Sequence, residues 1–194
     1  MTNVNAPRGF TSVGLKGQSG GGGTGRRYYK SATAGIIGVG DPVIKVTNSS
    51  DPEGGPEIIR HVTGAAITGV VVGIEANIAN LNQIGYLASA DTGYVLVDDN
   101  PDSFFEVQEV TGGTPLAIAN IGEHIDAIAA VDADVVIGRS KYEIDNAALA
   151  TGNTFILEQL VKKADNALGE HAKWLVRANL HTERNASATS RTEV

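Results

Sequence analysis

The chain has 194 residues, a formal net charge of −7, 24 glycines and no cysteine. Without cysteine there is no disulfide framework, zinc–thiolate site or thiol nucleophile, and an acidic balance disfavours a nucleic-acid surface, which carries a basic face. No stretch is long and apolar enough to span a bilayer as a helix, and Met1–Arg8 has no apolar segment behind a basic one, so neither a membrane role nor a signal peptide is expected.

Residues 1–34 read as an extended arm. The run from Gly17 to Gly25 holds six glycines in nine residues and has almost nothing to bury. Isolated apolar residues, Val4, Phe10, Val13 and Leu15, precede it, and Arg26, Arg27, Tyr28, Tyr29 and Lys30 follow it directly. Those five form the strongest basic–aromatic cluster in the chain and are the candidate partner-binding residues. Two readings stay open for the arm: a disordered tail, or a segment that orders on a partner.

From Gly35 the signals become strand-like. Pro42–Thr47 is β-branched, and Asn48–Pro56 is turn chemistry. Glu57–Val62 resumes extended structure, and Ile67–Ile74 reads as a buried strand because glycines interrupt any helix. Ala76–Leu81 fits a helical turn or a loop, and Tyr94–Val97 a strand ending in the acidic turn Asp98–Asp102. Along Phe104–Val110, alternation sends Phe105, Val107 and Glu109 to one face. Ile125–Ala129 is a further strand, Arg139–Ile144 is ambiguous, and Phe155–Val161 and Lys173–Asn179 are the last two. The single tryptophan, Trp174, shares a face with Val176 and is expected in a core or a subunit interface. The predicted fold is therefore mainly β: an antiparallel β-barrel or β-sandwich at 35–182, the Gly-rich N-terminal arm at 1–34 and a short polar C-terminal tail at 183–194.

Motifs that carry chemistry are weak. Gly20–Gly25 has the glycines of a phosphate loop, but Arg26 and Arg27 stand where lysine and serine or threonine are needed. Asp98, Asn100, Asp102 and Glu109 take positions one, three, five and twelve of a calcium loop, but Ser103 replaces the hinge glycine, so a solvated turn is expected. His61, His124, His171 and His181 show no ligand spacing. A hydrolase would need a polar cleft converging on His124 with Glu123 and Asp126; alternation puts 124 and 126 on one face and 123 on the other. No enzyme activity, cofactor or metal is expected.

Three phrases carry a resemblance. They are Gly85–Asp99 leading into Pro101–Gln108, then Gly138–Asp145, and then Ala164–Asn166 with Gly169, Trp174–Asn179 and His181. In these the chain resembles the β-barrel decoration, or cement, proteins and minor head proteins of tailed bacteriophages. The resemblance implies a non-catalytic virion component, made in the bacterial cytoplasm, that sits on the outside of the shell and binds the major capsid protein. It also implies a homo-oligomer, a trimer by the threefold symmetry of such positions. A head-fibre base, adaptor or tail protein is the nearest alternative; a β-barrel hydrolase or a carbohydrate-binding module is more distant, the latter because aromatics are only 5% of the chain.

Overall fold

Val, Ile, Phe and Tyr runs punctuated by glycine build strands here, as pleated half-buried surfaces demand. The computed structural model describes residues 3–15, 25–76, 80–82, 85–128 and 132–184. In chain order the strands are β1 (Thr11–Leu15), β2 (Arg26–Lys30), β3 (Ile37–Gly38), β4 (Pro42–Ser50), β5 (Pro56–Arg60), β6 (Gly69–Ile74) and β7 (Tyr86–Leu87). They continue with β8 (Gly93–Asp98), β9 (Ser103–Gln108), β10 (His124–Ala127), β11 (Ile144–Leu149), β12 (Phe155–Leu160) and β13 (Lys173–Ala178). Among the described residues the only helical element is a 3-10 turn at Ile118–Asn120.

The strands form two main bodies. A six-stranded antiparallel sheet runs β1-β9-β13-β12-β10-β11, and a closed barrel runs β2-β5-β4-β6-β8, while β3 and β7 pair separately. Only the β2–β5 pairing in the barrel is parallel. Each body has its own core: Phe10, Phe105, Phe155 and Trp174 belong to the first, and Tyr28, Ile37, Ile58 and Val95 to the second. Strand β6 serves both, with Val70 in the first core and Val71 in the second. That double burial is why its sequence is an unbroken apolar run rather than an alternation.

Two chain crossings join the bodies. Strand β8 leaves the barrel and, after the Asp98–Asp102 turn, becomes β9 of the open sheet; β1 beside β9 and β2 beside β8 run the other way. Asp98 is fully buried at this corner and accepts hydrogen bonds from Ser12 Oγ at 2.6 Å and Ser103 Oγ at 2.8 Å. The backbone of β6 approaches so closely that a Cβ on Gly69 would lie 2.2 Å from Asp98 O, so only glycine fits. A second buried polar link lies where β5 ends. Thr154 Oγ1 donates to Ala65 O at 3.1 Å and accepts from His61 Nε2 at 3.2 Å, while Tyr142 donates its hydroxyl to His61 O at 3.1 Å. Burial holds the His61 imidazole below its usual pKa, so it stays neutral in this link.

The arm reading needs correction. Within 1–34, Thr11–Leu15 and Arg26–Lys30 are integral strands, and Phe10, Tyr28 and Lys30 are 2%, 1% and 0% exposed. The reason is pairing: β9 and β8 lend hydrogen bonds to segments whose own composition does not announce a strand. Residues 16–24, which hold the glycine run except Gly25, lie outside the described residues, as do residues 185–194 of the predicted tail. The first two tail residues are engaged, Arg184 with Asp102 and Glu183 with Lys45 at 3.7 Å.

Candidate docking surface

Strand alternation divides the five predicted partner-binding residues. Tyr28 and Lys30 face into the barrel, whereas Arg27 and Tyr29 face outward, and Arg26 is exposed at the strand's start. Tyr28 donates its hydroxyl to Asp99 Oδ2 at 2.8 Å, and burial pushes that hydroxyl well above its ordinary pKa. Lys30 Nζ points at the carbonyls of Ser31, Ala88, Ser89 and Asp91 at 3.1, 2.9, 3.2 and 2.7 Å. This ammonium is a structural plug for the 88–91 turn. Tyr28 and Lys30 are therefore withdrawn from the set that a partner can reach.

The outward residues form a locked patch. Arg27 donates from Nε to Glu75 Oε1 at 2.8 Å and from Nη2 to Glu75 Oε2 at 3.1 Å, the forked geometry that guanidinium and carboxylate favour. Its guanidinium carbon lies 3.4 Å from the centre of the Tyr94 ring, a stacked cation–π contact. Tyr94 in turn donates its hydroxyl to Asp51, and the Tyr29 ring stands 5.7 Å from the Tyr94 ring at 57°. Asp51 accepts backbone hydrogens from Glu53 at 3.0 Å and Gly55 at 2.6 Å. The Tyr94 hydroxyl and these amides hold the Asp51 carboxyl below its usual range. Arg26 extends the patch toward Asp99, its Nη1 3.5 Å from Oδ2. Sequence reasoning finds Arg27 and Tyr29 but misses Tyr94, Glu75 and Asp51. Their spacing along the chain gives no sign of them; the pairing of β2 with β8 sets Tyr29 opposite Tyr94, the pairing of β6 with β8 brings in Glu75, whose N–H donates to Tyr94 O at 3.0 Å, and Asp51 arrives from the end of β4.

The other candidates do not converge. Asp98 is spent on Ser12 and Ser103, Asn100 Oδ1 accepts from Asp102 N at 2.8 Å, and Asp102 pairs with Arg184. Glu109 lies beyond the far end of β9, about 20 Å away along an extended strand. It accepts there from Trp174 Nε1 at 3.2 Å and Leu116 N at 3.1 Å. His124 opens onto a cleft of about 320 Å³ lined by Gly122, Glu123, Leu149, Ala150 and Thr151. Its Nδ1 accepts from Gly152 N at 3.2 Å, Asp126 is buried accepting from Thr154 N at 3.0 Å, and Glu123 accepts from Asn120 at 2.9 Å. Each group thus has its own local partner. Among the described residues no cluster of three or more histidine, aspartate or glutamate side chains is placed to hold a metal ion.

Compared with known proteins, the chain matches no family model, no curated protein and no solved structure.

Proposed function

We propose that this chain is a structural, surface-binding protein of a tailed-phage virion, a decoration protein that holds the outside of the capsid shell and braces contacts between major capsid protein subunits. The observation that carries this reading is the locked patch of Arg27, Tyr29 and Tyr94. Arginine and tyrosine dominate interface energetics when they are held rigid and lose little rotamer freedom on docking. Here Glu75 has already fixed Arg27 and Asp51 has fixed Tyr94 on a barrel wall, with the Tyr29 ring packed against Tyr94. Such a patch is suited to a flat protein partner. The phrases that resemble head decoration proteins supply the identity of that partner. Many copies on a lattice would be retained by multivalency even if each contact is modest. A trimer is the assembly that suits threefold sites on a shell.

The test is co-expression with the major capsid protein of the phage that encodes the chain, followed by sedimentation of the shells. The reading expects the wild type to travel with the shells at a fixed stoichiometry, and an Arg27→Ala, Tyr94→Ala double variant to be depleted from them by about 30-fold or more. Equal retention of the double variant would remove the patch from the account. Wild type remaining at the top of the gradient would remove the decoration reading and favour a tail or adaptor role.

A further inference from the structure

The segment after β10 carries a second surface that the sequence does not advertise. Asp134 and Arg139 form an antiparallel bridge, with Asp134 N donating to Arg139 O at 2.7 Å and Gly138 N to Asp134 O at 2.7 Å. The Asp134 side chain pins the turn between them, its Oδ1 accepting from Val136 N at 2.9 Å and Ile137 N at 3.3 Å. The base is fixed to the rest of the protein. Arg139 bridges to Val39, Ser140 N donates to Val39 O at 2.9 Å, and a Cβ on Gly85 would lie 2.6 Å from Gly138 O. On this rigid base stand three consecutive aliphatics, Val135, Val136 and Ile137, which are 49%, 89% and 59% exposed.

Apolar side chains held out on a pinned turn gain nothing in the isolated chain, because the hydrophobic effect rewards their removal from water. β-Branched residues on a fixed backbone also lose little freedom when docked. Resting on the decoration reading, we infer that Val135–Ile137 is a knob that inserts into an uncharged apolar pocket on the major capsid protein. Two considerations select that occupant. Three aliphatic side chains cover only a few hundred Å², roughly, against about 800 Å² per partner in a stable dimer, so the knob cannot by itself hold two copies of this chain together. It suits an array in which it is one of several contacts. A bilayer is disfavoured because interfacial segments pair their apolar residues with tryptophan or phenylalanine and with unpaired basic side chains. Here Arg60 and Lys141 are paired with Asp132 and Asp134, which leaves the exposed Arg139 as a lone basic side chain rather than a basic face, and no aromatic stands among residues 132–141. The net charge of −7 also opposes an anionic leaflet.

The experiment compares wild type, Val136→Asp and Ile137→Asp for binding to undecorated shells by sedimentation, with thermal melting, sedimentation velocity of the free protein and flotation with anionic liposomes alongside. Both positions are exposed, so melting temperature and free-protein mass should be unchanged, while shell affinity falls by about 30-fold or more for each variant. Variants that bind shells like wild type would overturn the knob while leaving the decoration reading in place. A change in oligomeric mass would reassign the knob to a second copy, and wild-type flotation lost in the variants would reassign it to lipid; either overturns the inference. Wild type that fails to bind shells would remove the decoration reading, and the knob's occupant with it.

Discussion

Replacing Phe10 by alanine separates an arm from a structural strand. Phe10 is 2% exposed, stacks on Phe155 at 4.6 Å between ring centres with the planes 20° apart, and meets Phe105 edge-on at 6.5 Å. Its backbone N–H donates to Gly40 O at 2.9 Å, which seats the segment entering β1. Truncating a buried phenylalanine removes its transfer free energy and leaves a cavity, a combined cost of about 3–5 kcal/mol. A residue on a solvated arm would cost no more than about 0.5 kcal/mol. Trp174 is the single tryptophan and lies in the same core, so its fluorescence reports the loss directly. In urea the midpoint should fall with an unchanged slope. In a thermal melt the shift should be roughly 6–20 °C, given about 2–4 °C per kcal/mol for a chain of this size. Val4→Ala, at a position 72% exposed, is the matched control and should leave both curves in place. A Phe10→Ala shift as small as the control's would refute the placement of residues 3–15 in the fold.

Gly69→Ala should destabilise by about 1–3 kcal/mol or more, because the new methyl meets Asp98 O on backbone that cannot easily give way; a urea midpoint equal to wild type's would show the corner to be loose. Lys30→Met should cost about 1–3 kcal/mol, since the apolar isostere leaves the part-buried carbonyls of Ser31, Ala88, Ser89 and Asp91 without their donor; stability equal to wild type's would show that these carbonyls find water instead. Asp41 is fully buried, and desolvation raises its carboxyl from 3.8 to about 6 despite hydrogen bonds from Ser140 and Gly38. Because its folded-state value lies above its unfolded one, the ionised form burdens the fold. Its contribution should therefore improve by about 3 kcal/mol as pH falls from above 6 to below 4. The buried His61 and His181, whose values are lowered, act with opposite sign as pH falls below their usual range. The difference between the wild-type and Asp41→Asn stability curves isolates the aspartate. A pH-independent difference would show that Asp41 is not desolvated.

The sequence was readable where burial is one-sided or complete. In β9 and β13, period-two alternation places Phe105, Val107, Trp174 and Val176 inside, and that is where they are. In β6 the crowding of β-branched residues signalled a buried strand, and Val70 and Val71 are both buried. It failed where the stabilising partner is remote. The inward residues of β2 are a tyrosine and a lysine, and the carbonyls that accept the lysine come largely from residues 88–91, so Arg26–Lys30 looked like a sticky patch instead of a strand. Strand β11, with Asp145, Asn146 and alanines, has the composition of a helix or loop and is extended because β10 pairs with it. Part of the docking patch was visible as Arg27 and Tyr29, and the rest, Tyr94, Glu75 and Asp51, depends on the strand order of the whole barrel. The apolar knob had one local sign, Asp134 and Gly138 bracketing Val-Val-Ile as turn residues do. Its exposure is a tertiary property, since the same three residues would equally suit a buried strand.

The decoration reading requires a tailed phage to carry this chain in its heads, and it is tested most directly by locating the chain in gradient-purified phage heads by cryo-electron microscopy. The account predicts trimeric β density on the outside of the shell, at local threefold positions, with the wall bearing Arg27, Tyr29 and Tyr94 turned toward the major capsid protein. Heads that lack the chain, or density for it confined to the tail, would contradict it.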